Sequence, residues 1–234
     1  MKVTILFDKE KKDASLHSGW GIAYMIGDVL FDTGENAEYL LENMRVLRIA
    51  ASTIRHIFLS HNHWDHRSGL WEVLSRSKDA QVYVCPDFLE EFEEKARDFD
   101  FKAIMEFSEI APRIYSSGCF HTMYKNSRLM EHFLIARTDK GISCVFGCAH
   151  PGILTLLQKV RIYFPGEKIY SVFGGFHLME TDPRLVTYIA HEMKKMGIAF
   201  VGPSHCTGHD AIAVFKEVFK DGFLDIAAGA KFEI

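Results

Sequence analysis

Four strong metal-binding groups fall within six residues, His61-Asn62-His63-Trp64-Asp65-His66, directly after the apolar run Ile54-Arg55-His56-Ile57-Phe58-Leu59-Ser60. Imidazole nitrogens and a carboxylate are borderline donors that suit zinc and its first-row neighbours. In an extended segment alternate side chains share a face, so the spacing predicts that His61, His63 and Asp65 point one way. As the chain turns, His66 joins them. The competing reading, solvated loop histidines, leaves this concentration of donors to chance. A chain built around it must end a strand there and bring other parts of itself to the same place.

The pattern of apolar residues supplies those other parts. Val3–Phe7 and Gly21–Ile26 read as strands, and Gly27-Asp28 before Val29-Leu30-Phe31 is a tight hairpin signal. Ala37 to Ile49 has helical spacing, Ser68–Leu74 begins a helix, and Pro86 opens another over Asp87 to Arg97 after the strand Gln81–Cys85. Phe133–Ala136 and Ile142–Phe146 read as strands about the turn Asp139-Lys140-Gly141. Helices over Ile153–Val160, Asp182–Met196 and Asp210–Phe219 alternate with strands at Ile169–Phe173 and Ala199–Val201, and Lys231–Ile234 reads as an edge strand. Between them, Ile104 to Arg128 is aromatic, rich in turns and weakly periodic, which makes it a candidate lid. Five strand ends each deliver a chemically useful residue: Asp32, His61, His150, His177 and His205. Functional groups belong on loops at strand ends held by a rigid sheet. No repeat, linker or low-complexity segment divides residues 1–234, so one domain is expected.

Composition narrows the chemistry. The net charge of −4 and the absence of a long basic run argue against a nucleic-acid partner. No apolar run approaches the length of about 18 residues that a membrane span needs. Met1–Asp8 is too short and too soon charged for a signal peptide, which leaves the cytoplasm as the expected address. Five cysteines without a CxxC pair do not read as a disulfide framework, and Cys85, Cys119 and Cys144 are expected to be small packing residues. No Gly-x-Ser-x-Gly elbow, GxGxxG or GxxxxGK[ST] loop is present, which favours a metal as the agent of chemistry.

A His-x-His-x-Asp-His run after an apolar strand resembles the metallo-β-lactamase superfamily. Phe31-Asp32-Thr33-Gly34, Gly147-Cys148-Ala149-His150-Pro151-Gly152, Gly174-Gly175-Phe176-His177 and His205-Cys206-Thr207-Gly208 resemble, more finely, its branch of stand-alone proteins that includes the dihydropterin–ribofuranosylaminobenzene phosphate synthases. The resemblance implies an α/β fold, a four-layer αββα sandwich, with a site at one edge. It also implies two Zn2+ ions, with Fe or Mn as alternatives. His61, His63 and His150 would hold one ion; Asp65, His66 and His205 would hold the other. A water or hydroxide bridging cations about 3.5–4 Å apart would be a nucleophile near neutral pH, with Asp65 helping to orient it. Asp32 would steady a ligand histidine, and His177 would meet substrate or support a ligand. Cys148 departs from the superfamily, standing where a bridging aspartate is common. It is expected to be a buried thiol behind the site, with a thiolate ligand as the other reading. His17 resembles a pocket-lining segment, and Trp20, Trp64, Phe120 and Phe176 are candidate walls for a flat ring.

Three functions follow. The first is a metal-dependent hydrolase acting on a small phosphorylated or ester-like substrate. The second is a synthase that joins a pterin alcohol to an aromatic ribosyl phosphate, with the metal as Lewis acid. The third is a metal-binding or sensing protein without turnover. A small-molecule substrate is the expected partner, and the sequence leaves room for a homo-oligomer.

Overall fold

The computed structural model describes residues 1–234. The first half builds six strands of one sheet: β1 (Lys2–Phe7), β2 (Ala23–Ile26), β3 (Val29–Phe31), β4 (His56–Phe58), β5 (Gln81–Val84) and β6 (Phe101–Ala103). Helices α1 (Ala37–Val46), α2 (Trp64–Arg67), α3 (Leu70–Arg76) and α4 (Pro86–Ala96) connect them. The second half adds β7 (Ser108–Ala111), β8 (Ile114–Ser116), the hairpin β9 (Phe120–Tyr124) and β10 (Ser127–Glu131), then β11 (Leu134–Thr138), β12 (Gly141–Phe146), β13 (Ile169–Gly175) and β14 (Phe200–Ser204). Its helices are α5 (Ile153–Tyr163), α6 (Pro183–Lys195) and α7 (His209–Phe219). The last strand, β15 (Lys231–Glu233), returns to the first sheet, whose order is β15-β1-β2-β3-β4-β5-β6; the second runs β14-β13-β12-β11-β8-β7.

Alternation of side chains decides the layers. In β11 and β12, Leu134, Ala136 and Val145 face the first sheet and meet Ile5, Tyr24, Phe31 and Phe58, forming the inner core. Their neighbours Ile135, Cys144 and Phe146 face outward against Leu156, Leu157, Ile189, Ala190 and Phe215 of the second set of helices. On the other side, Leu30, Ile57 and Val82 pack against Leu40, Met44, Leu70, Val73 and Phe88. The result is an αββα sandwich. Side chains cap the helices where the sequence provides them: Asn36 accepts from the Tyr39 amide at α1, and Asp182 accepts from the Arg184 amide ahead of Pro183 at α6.

Strands β3 to β6 run parallel to one another, as do β12, β13 and β14 among themselves. Their C-terminal ends therefore open onto the same edge, which carries Asp32, His61, Cys148, His177 and His205.

Two expectations need correction. The 61–66 segment is not extended throughout: His63 is the N-cap of α2, so Asp65 and His66 sit on a helical turn, separate from His61 and His63. Cys85 and Cys119 are not free packing residues; they form a disulfide, closing the end of β5 onto the loop before β9. A separation of 34 residues gave no sign of this pairing. The weakly periodic middle segment forms short strands, whose breaks every few residues conceal the period-two pattern.

Candidate metal centre

Two groups of donors lie side by side. His61, His63 and His150 offer one ligand atom each within 4.8 Å of one another, and so do Asp65, His66 and His205. The histidine rings are aimed by partners on their outer nitrogens. Ser60 Oγ donates to Asp32 at 2.7 Å and sits 2.9 Å from His61 Nδ1, which must then carry the proton. His66 Nδ1–H donates to Asp32 at 2.7 Å, and His150 Nδ1–H donates to Glu131 at 2.9 Å. His61 and His150 are left with an unprotonated Nε2 facing inward, the form that binds a cation, and His66 turns its Nε2 to the same space. His205 differs: its Nδ1 accepts from the Gly21 amide at 3.2 Å, while Nε2 has no hydrogen-bond partner and faces Asp65 Oδ2 at 3.3 Å.

Electrostatics keep His61 and His63 neutral and set His66 apart. Burial, reinforced by the surrounding histidines, holds His61 well below the ordinary range, and burial together with His150 pushes His63 down to about 4. Burial alone would lower His66 too, but the Asp32 carboxylate raises it to about 9. Burial opposes ionisation of Asp65, yet His205 and His66 hold its carboxyl below the usual range. His61 and His63, held neutral, lie beside the ionised Asp65 as donors suited to a divalent ion, and a cation at His66 would displace the proton that Asp32 favours there. With the buried, unpartnered His205 Nε2, the residues present fit a metal.

Asp32 is fully buried and also accepts from the Ser60 amide at 2.7 Å, so one carboxylate ties the β3 end to both donor groups. Its backbone φ is 54°, and Ala149, His177 and His205 share that left-handed region with φ of 56°, 52° and 52°. Non-glycine residues are uncommon there, and such conformations gather where a turn must aim a side chain. Gly21 (φ 99°) passes so close to the Asp65 carbonyl that a Cβ would collide with it.

Glu131 is a site residue that sequence reasoning missed. Buried at 1% exposure, it accepts from the amides of Cys148, Ala149 and His150 at 3.1, 2.7 and 2.8 Å, in addition to the His150 ring. The only signal was a carboxylate in the otherwise apolar stretch around Leu129 and Phe133. Tyr124 was missed as well. The β9–β10 hairpin turns through Lys125 and Asn126, both at positive φ, and lays Tyr124 against His63, His150 and His177.

Cys148 is buried, with Sγ 3.4 Å from His66 Nε2, and His177 lies against His150 with ring centroids 4.5 Å apart. A cavity of about 310 Å³ lies over the donors, walled by Trp20, Trp64, Tyr124 and Lys125. Phe176 is instead part of the outer core, Phe120 packs against that core, and His17 stacks on Tyr39 beside α1, away from the donors. No helix is long and apolar enough to cross a membrane.

This fold and this edge of histidines define a class: the chain belongs to the metallo-beta-lactamase superfamily, whose model matches residues 23–170. Within it, the chain is 30% identical to the 7,8-dihydropterin-6-methyl-4-(beta-D-ribofuranosyl)-aminobenzene-5'-phosphate synthase of Methanocaldococcus jannaschii, over 86% of this chain and 82% of that protein. It is 27% identical to a solved metal-dependent hydrolase of the beta-lactamase superfamily, Tm1679, with a TM-score of 0.86, covering 100% of this chain and 99% of that one. The metallo-beta-lactamase fold protein YhfI of Bacillus subtilis shares the fold at 16% identity and a TM-score of 0.68, over 99% of this chain and 98% of that one.

Proposed function

We propose that residues 1–234 act as one domain and as a metal-dependent hydrolase of a small anionic substrate, a phosphorylated or ester-like molecule. The observation that carries this reading is the adjacency of two donor triads beneath one cavity whose rim holds a cation, Lys125. His61, His63 and His150 would hold one divalent ion and Asp65, His66 and His205 a second, with zinc favoured by the nitrogen and carboxylate donors. Bound there, such ions supply Lewis acidity to an anionic oxygen and acidify water. The chain's own residues do the rest. Asp65 turns a carboxylate oxygen toward the donors and orients the attacking group. Glu131 and Asp32 keep the ligand rings in the correct tautomer. Trp20 and Tyr124 flank the cavity and exclude water, and Lys125 meets substrate charge.

The likeness to the archaeal synthase favours a second reading, in which the same centre assists loss of a hydroxyl from a pterin alcohol during transfer to an aminobenzene ribosyl phosphate. Metal analysis of freshly purified protein tests the shared premise. At least two equivalents are expected; a single equivalent would overturn the two-ion arrangement, and turnover that survives chelation would overturn metal dependence. Phosphomonoesters, phosphodiesters, thioesters and lactams, assayed with and without a hydroxymethyl-dihydropterin, then separate hydrolase from synthase.

A further inference from the structure

The two triads leave a third set of donors unclaimed. Cys148, His177 and Cys206 place a ligand atom each within 4.8 Å of one another, and Cys148 also lies within that distance of His61 and His66, so this set borders the triads without sharing their residues. They arrive on three successive strand ends, after β12, β13 and β14. Both cysteines are buried and free, at 3% and 6% exposure. His177 Nδ1 is buried without a hydrogen-bond partner, an orphan that a folded protein seldom keeps without use. Gly175 makes the arrangement possible, since a Cβ there would press on the Gly147 carbonyl and the Cys206 sulfur. A second cavity, of about 410 Å³, reaches this group from the outside, between Trp20, Lys125, Met179 and Glu180.

We propose that Cys148, His177 and Cys206 form a third cation site, selective for a thiophilic ion of the zinc type. Two sulfurs and one imidazole make a softer donor set than either histidine-based triad, and three protein donors leave a fourth position open toward the outer cavity. Binding displaces the thiol protons to solvent. The site assigns Cys206 a role of its own and turns Cys148 away from simple replacement of a bridging carboxylate.

The test is a titration of the full chain, kept reduced with a phosphine, using Co2+ and then Cd2+, read by metal stoichiometry and by sulfur-to-metal charge-transfer absorption. Cys206→Ser is expected to bind one equivalent fewer than the wild type and to lose at least half of the charge-transfer band. His177→Ala, at a half-buried position, is expected to lose the same equivalent. His63→Ala is expected to lose an ion and leave the band intact, which separates this site from the centre under the proposed function. Wild-type stoichiometry and an undiminished band in both Cys206→Ser and His177→Ala would overturn the proposal. If Cys206→Ser fails to fold by circular dichroism, His177→Ala alone decides it.

Discussion

Replacing Glu131 with glutamine removes one charge and alters little else in shape, so it isolates what the buried carboxylate does. Glu131 Oε1 accepts from the Cys148 and Ala149 amides, and Oε2 accepts from the amide and ring of His150. A glutamine can keep the first pair with its carbonyl oxygen. Its NH2 group then faces two N–H donors at His150, and both bonds are lost. Bonds to a charged acceptor are each worth about 1.5–3 kcal/mol, and part is recovered because a buried charge has been removed, so a net loss of about 3 kcal/mol is expected. The ring has one escape: it can move its proton to Nε2 and accept from the glutamine at Nδ1. That satisfies the bond but blocks the nitrogen facing the donors, and metal affinity should fall by about 10- to 100-fold. Urea denaturation of metal-free protein reads the first quantity, and competition with a chromophoric chelator reads the second. A variant within about 0.5 kcal/mol of wild type and unchanged in metal affinity would refute the assignment of Glu131 as the group that sets the His150 tautomer.

Three further outcomes follow from the same geometry. Asp32→Asn should weaken metal binding by about 10-fold or more, because the carboxylate holds His66 and, through Ser60, His61; equal affinity in the same competition assay would contradict this. His132 donates Nε2–H to the Leu59 carbonyl, and burial pushes its pKa down to about 4. An unfolded histidine protonates near the ordinary value of 6.5, so the unfolded state takes up protons first as pH falls. Stability present above that value should therefore decline between about pH 6.5 and 4, by about 2 kcal/mol from this residue at about pH 5. Denaturation at about pH 7.5 and 5 should show a shallower decline in His132→Gln, and an identical decline would exclude His132 as a contributor. Gly21→Ala should cost about 2 kcal/mol or more, since a Cβ meets the Asp65 backbone at a positive φ; an unaltered urea midpoint would show that the Asp65 turn yields easily.

Much of this arrangement was legible because parallel strands advertise their ends. An apolar run that stops at Asp32, His61 or His205 exposes the useful residue in the sequence itself, and the αββα layering follows from strands alternating with amphipathic helices. Legibility failed where partners are distant and the local pattern is ordinary. Glu131 lies in the short strand β10, marked only by its apolar surroundings, and its role exists only after β10 meets the amides that follow β12. The Cys85–Cys119 disulfide depends on two loops whose approach no spacing encodes. Asp65 was placed on the wrong local geometry because an alternating pattern cannot show that a helix starts at Trp64.

The two halves of the chain each bring an incomplete set of donors to the shared edge. His61, His63, Asp65 and His66 come from the first sheet, while His150 and His205 come from the second. A nascent chain ending before β12 would carry four of the six and close neither triad. On the proposed function, cation capture would belong to the last stage of folding, after the most distant segments have docked, as the Gly21–His205 contact across 184 residues illustrates. An ion bound in this way stabilises only the finished sandwich, and at about 100 times its dissociation constant it would add about 2.7 kcal/mol against separation of the halves.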